Sequence, residues 1–149
     1  MSMSRKWTEV IELLRAKEVI LADGLTDSEL GSAEERCSSS FPPDLREFLQ
    51  LVLPIGSSFP DWRSISCDTL DSWLAGPFEG IAFDIEHNSF WWPAWGPKPA
   101  HLATAKEVAR AALEAAPRLV PIFGHRFLPT EPLERGNPVF SVVQTDIIY

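Results

Sequence analysis

The sequence predicts an α+β fold: a mainly antiparallel sheet of about five or six strands, with N-terminal helices and one long central helix packed against it. Three observations carry this. Apolar residues recur at helical spacing through the first third of the chain. Ile81, Phe83 and Ile85 alternate with Ala82, Asp84 and Glu86, as in a half-buried strand. The stretch from Pro117 to Tyr149 holds three short apolar runs, Leu119–Phe123, Val139–Val143 and Ile147–Tyr149, set apart by Gly124, Pro129, Pro132 and Gly136-Asn137-Pro138. Such runs bounded by Gly, Pro and Asn read as strands joined by turns, and the prolines exclude a helix there. Helices first and hairpins later, rather than βαβ units, define the class.

Taken in order, Trp7, Val10, Ile11 and Leu14 lie on one face of a helix from about Ser4 to Val19, with Arg5, Glu9, Glu12 and Arg15 opposite. Asp23-Gly24 turns the chain. Thr26-Asp27-Ser28-Glu29 has the form of a capping box and opens a second helix carrying Leu30, Ala33, Glu34 and Cys37. Phe41-Pro42-Pro43-Asp44 starts a third, because proline is tolerated in a first turn and Asp44 suits the positive end of the dipole. Leu45, Phe48, Leu49 and Val52 form its buried stripe, and Pro54 and Gly56 end it. A loop holding Trp62 follows. A short helix is expected over Thr69 to Ala75, with Asp68 as N-cap and Gly76 just past its end. The strand Gly80–Glu86, a turn at His87-Asn88-Ser89 and a partner strand at Phe90-Trp91-Trp92 make a hairpin. The long helix runs from Ala100 to Ala116, with Leu102, Ala105, Val108, Ala109, Ala112 and Leu113 inward, and Pro117 stops it.

At 149 residues the chain has the length of one domain with a full core. No run approaches the roughly 20 apolar residues of a spanning helix. The basic residues near the N-terminus have no apolar segment behind them, which points to a cytoplasmic protein. Cys37 and Cys67 read as free thiols rather than a disulfide, and no CxxC or HxxxH spacing suggests a metal. No cofactor is expected. The net charge of -8 argues against nucleic acid and anionic membranes as partners. It serves solubility, or alternatively a docking surface for a basic partner.

Several stretches together resemble the SUKH superfamily, which contains bacterial toxin-immunity proteins and fungal cell-wall-assembly regulators. They are Leu25-Thr26-Asp27-Ser28-Glu29-Leu30, Phe41 to Leu49, Phe59-Pro60-Asp61-Trp62-Arg63, Phe83-Asp84-Ile85-Glu86-His87-Asn88, Trp92-Pro93-Ala94-Trp95-Gly96, Pro121 to Pro129, and Gly136 to Val142. Leu53-Pro54-Ile55-Gly56 stands where the family has Asn-Gly. A full-length member is expected to continue past Tyr149 with a turn and a closing helix. The resemblance implies a binding module without catalytic residues: an immunity protein that neutralises a cognate toxin by direct contact, or a scaffold for cell-wall assembly.

His87 sits beside Glu86, His101 at a helix start, and His125 between Gly124 and Arg126. A small hydrolase built on His125, Asp61 and a serine is the alternative from another class, but no G-x-S-x-G elbow accompanies it. Phe90, Trp91, Trp92 and Trp95, with Trp62, form an unusual aromatic set. Adjacent Trp91 and Trp92 in a strand face opposite sides, so one is core and the other either an interface anchor or covered by a helix. An exposed Trp also suits sugar stacking. Arg63 and Arg126 are expected to pair with carboxylates such as Asp61 or Glu86. The expected partner-binding face comprises Asp61, Trp62, Arg63, Glu86, His87, Trp91 and Trp95, and its partner is a protein, a basic toxin domain.

Overall fold

In the computed structural model, which describes residues 5–148, the chain is an α+β protein. Its helices are α1 (Arg5–Ala16), α2 (Asp27–Arg36), α3 (Pro43–Leu51), α4 (Cys67–His87) and α5 (Leu102–Ala115), with a 3₁₀ turn at Pro93–Trp95. Strands β1 (Ile20–Asp23) and β2 (Val52–Ile55) form an antiparallel pair. Strands β3 (Leu119–Phe123), β4 (Arg126–Pro129), β5 (Phe140–Val143) and β6 (Asp146–Ile148) form an antiparallel meander in that order. Ser4 and Tyr149, included in the expected first helix and last strand, lie outside the described residues.

The first three helices form where the sequence places them. Thr26 Oγ1 accepts from Glu29 N, and the Glu29 carboxylate accepts from Thr26 N, so the capping box is complete. Pro43 occupies the first turn of α3. Glu34 accepts from Phe41 N (2.7 Å) and from the Arg46 guanidinium, which ties α2 to the start of α3. Trp7 stacks on Phe48 at 5.1 Å and docks α1. The chain does not coil after Leu51 but enters β2, with Leu53 paired to Ala22 and Pro54 to Leu21. Neither β1 nor β2 is anticipated by the sequence, because each is short and paired only across 30 residues of chain. Gly24 permits their approach to α3: a Cβ there would stand 2.0 Å from Gln50 O. Leu25, Leu30, Phe41, Leu49, Leu53, Trp62, Leu70 and Val120 close one core. Each large side chain fully buried there contributes roughly 1.5–3 kcal/mol.

The largest departure is α4. The expected short helix and the strand Gly80–Glu86 are replaced by one helix of 21 residues that includes His87, is capped by Ser66 rather than Asp68 and has Asn88 as its C-cap, so His87-Asn88-Ser89 ends a helix and joins no hairpin. It is also the longest helix, a place the sequence reading gives to α5. Pro77 lies inside it; a proline there removes one backbone bond and costs about 3 kcal/mol. The helix continues because Ile81, Ala82 and Ile85 are buried, the first and last against Ala105 and Ala109 of α5. Phe83, expected inward, is 47% exposed, while Asp84, expected outward, is 4% exposed. Ile81, Phe83 and Ile85 fit a period of 2, but Phe78, Ile81, Ala82 and Ile85 fit a period of 3.6, and the helical stripe is the one buried. The partner strand expected at Phe90–Trp92 is likewise absent, and Trp91 and Trp92 sit in a non-strand segment before the 3₁₀ turn.

Helix α4 also holds the meander. Asp84 accepts from Thr145 N (2.9 Å) and Thr145 Oγ1 (2.7 Å) in the β5–β6 turn, and from Asn88 Nδ2 (2.6 Å) at its own C-terminus. These donors hold its carboxyl below the ordinary aspartate value, the Thr145 hydroxyl contributing most. One turn earlier Gly80 meets the same loop, where a Cβ would come 2.8 Å from Gln144 Cα. Among the described residues, no helix is long and apolar enough to cross a membrane.

Candidate functional site

The expected partner-binding residues separate into two groups, each locked by different chemistry. Trp62 is 3% exposed and packs edge-on against Phe41 at 5.2 Å, so it belongs to the core and cannot anchor a partner. Arg63 pairs with Glu29 (2.9 Å), not with Asp61 or Glu86, and also donates to the carbonyls of Asp23 and Gly24. That hydrogen bond holds the Glu29 carboxyl below its usual range and raises the Arg63 value. Asp61 accepts from Arg63 N at 3.2 Å, closing the loop on itself. The group therefore pins the Trp62 loop to the start of α2. Arg126, the other arginine expected in a pair, is exposed and makes no ion pair with a described residue.

Glu86, His87, Trp91 and Trp95 come together at the other end, where α4 stops. Phe90, Trp91 and Trp95 are half-buried over Ile81, Ile85, Ala105 and Ala109. The rings of Trp91 and Trp95 meet at 5.2 Å and 82°, and Trp91 Nε1 donates to Gly96 O at 2.8 Å. Edge-to-face pairing and that hydrogen bond fix both indoles. Beside them Trp92 is 54% exposed. One of the adjacent tryptophans thus joins a core and the other meets water, although no strand is involved. Glu86 bridges to Lys106 of α5 at 2.7 Å, which holds its carboxyl below the usual range. His87 lies against Phe83 at 4.5 Å, and it closes α4 rather than forming a hairpin tip.

His125 stands in the β3–β4 turn, with its carbonyl accepting from Val142 N (2.9 Å). It lines a shallow concavity with Ser57, Ser58 and Ser72, but no aspartate or glutamate lines that concavity. Asp61, the acid considered for it, is engaged by Arg63 N instead. His101 occupies the N-cap position of α5 and is exposed.

A feature absent from the sequence reading is a half-open cleft of about 660 Å³ between α4, α5 and the meander. Its walls include Leu74 and Phe78 from α4, Leu113 from α5, Leu119 from β3 and Phe140 from β5, with Cys37 among them. Burial pushes the Cys37 thiol up to about 11, so at neutral pH it stays protonated in the wall. The β4–β5 loop forms the remaining side. It is held by Arg135 to Glu47 (2.6 Å), Gly136 N to Asp44 (3.0 Å), and Asn137 Nδ2 to the carbonyls of Pro129 and Pro132. The only sequence signal for such a space is the density of prolines around it.

Compared with models of known families, with curated proteins and with solved structures, the chain finds no match.

Proposed function

We propose that the chain is a non-catalytic protein-binding module, acting in the cytoplasm as an immunity protein that neutralises a basic toxin domain by direct contact. The observation that supports it most is the fixed aromatic end of α4. Trp92 stands exposed there, beside immobilised Trp91 and Trp95 and the Glu86 carboxylate. Rigid indoles bury large area at small entropic cost, and Glu86 beside them, already paired with Lys106, fixes the end of α4 against α5. The resemblance to the SUKH superfamily adds the immunity role, and the net charge of -8 adds steering toward a cation-rich partner.

The test is a search for a toxin-domain gene immediately upstream and titration of the purified chain against the domain it encodes. A complex is expected, with Trp92→Ala weakening it roughly 30-fold, about 2 kcal/mol. Unchanged affinity in Trp92→Ala, Trp91→Ala and Trp95→Ala would move the docking face elsewhere. A scaffold in cell-wall assembly would instead show several weak partners. A second reading, hydrolysis at His125, draws on the serines that share its concavity. Turnover of ester or peptide substrates that disappears in His125→Ala would favour it and end the non-catalytic proposal.

A further inference from the structure

The cleft between α4, α5 and the β4–β5 loop has the size and the charge arrangement of a small-molecule site. Its volume of about 660 Å³ falls within the roughly 300–1,000 Å³ of drug-sized ligand pockets. The walls are aliphatic and aromatic, and the prolines among them bring no backbone N–H. Polar character is concentrated in Glu114, Glu131, Arg110 and Arg118.

These four are not equivalent. Arg110 is committed, its guanidinium standing 4.1 Å over the Phe78 ring and touching Glu107 at 3.4 Å. That contact leaves one face of Phe78 covered by a cation of the chain itself. Glu114 and Glu131 are exposed and form no ion pair among the described residues, and neither does Arg118. Two free carboxylates therefore oppose one free guanidinium, within a chain of net charge -8. The sign favours a cationic head over an anionic one. We propose that the cleft binds a small amphipathic cation, an apolar body carrying one ammonium or guanidinium group. The body lies against Leu74, Phe78, Leu113 and Phe140, and the head sits between Glu114 and Glu131. This site is separate from the docking face at α4's end and does not rest on it.

Calorimetric titration with n-alkylamines, n-alkanols and n-alkanoates of matched length, kept below self-assembly, tests the assignment. Affinity is expected to rise about fourfold per added methylene until the cleft fills. Amines should bind at least about tenfold more tightly than alkanoates at low salt, a margin that shrinks as salt is added. The double variant Glu114→Gln, Glu131→Gln should lose the preference for amines and keep its affinity for alkanols. Arg118→Gln should tighten amine binding roughly threefold. Ala75→Phe, which fills the cleft from α4, should weaken all three series. Amines bound no better than alkanols, or an amine preference intact in the double variant, would overturn the proposal. So would a short Leu- and Lys-containing peptide that binds more tightly than decylamine, since the source would then be a protein. If Ala75→Phe does not fold, the two exposed glutamates decide the matter alone.

Discussion

The cluster around Leu30, Phe41 and Trp62 and the cluster around Ile81, Ile85 and Ala109 are closed in different ways. The first is sealed by its own large side chains, with Leu30, Phe41, Leu53 and Val120 all but inaccessible to water. The second has small alanines, Ala105 and Ala109, as its fully buried members beside Ile81 and Ile85. Its cover is a rim of half-buried Phe90, Trp91 and Trp95. A rim of that kind gives part of its apolar area to the fold and keeps part in water. The lesson is that large aromatics of one chain divide by depth: Phe41 and Trp62 are sealed inside the first cluster, while Phe90, Trp91 and Trp95 of the second keep part of their area in water.

Trp62→Ala is the substitution expected to cost most, about 3–5 kcal/mol of stability by urea unfolding, because it empties a sealed core. Trp95→Ala should cost well under half of that. Equal losses would erase the distinction between the clusters. Next comes the seam between α4 and the β5–β6 turn. Gly80→Val forces a side chain against Gln144 backbone and should cost about 1–3 kcal/mol. Gly76→Ala, in the same helix with nothing within 4 Å of its Cβ, should instead stabilise by about 0.4–1 kcal/mol.

Asp84 sharpens the same seam through pH. Its folded value lies below that of the unfolded chain, so its contribution is complete above about pH 3.9 and is lost as pH falls through the folded value. Asp84→Asn should lower stability at neutral pH and flatten the acid side of the stability profile. A profile unchanged by Asp84→Asn would mean that Thr145 is not held through this carboxylate.

Thr26→Ala removes the cap that starts α2 and should cost about 1 kcal/mol, read by urea unfolding. The smallest effect belongs to Trp92→Ala, expected within about 0.5 kcal/mol of the native chain. A larger loss would show that this indole supports the fold and is not free for a partner.

The sequence alone determined what depends on neighbours a few residues apart. The Thr26–Glu29 box, the stripes of α1, α2, α3 and α5 (except Leu102, expected inward but 40% exposed in the first turn of α5), the stop at Pro117, and strands β3, β5 and β6 all follow from local hydrogen bonding and periodicity. The α+β class followed from these. Of the candidate site, the grouping of Glu86, His87, Trp91 and Trp95 was legible because they lie within ten residues of one another. Only tertiary structure decided between the two periods that Ile81, Phe83 and Ile85 satisfy. Burial of Ile81 and Ile85 against the alanines of α5 is what selects the helix and carries it past Pro77. The same holds for the depth of Trp62, the inward turn of Asp84 toward Thr145, the pairing of β1 with β2, and the cleft. Each joins residues far apart in the chain. A side chain's own chemistry states which contacts it can make; which one it makes depends on what the fold brings to it.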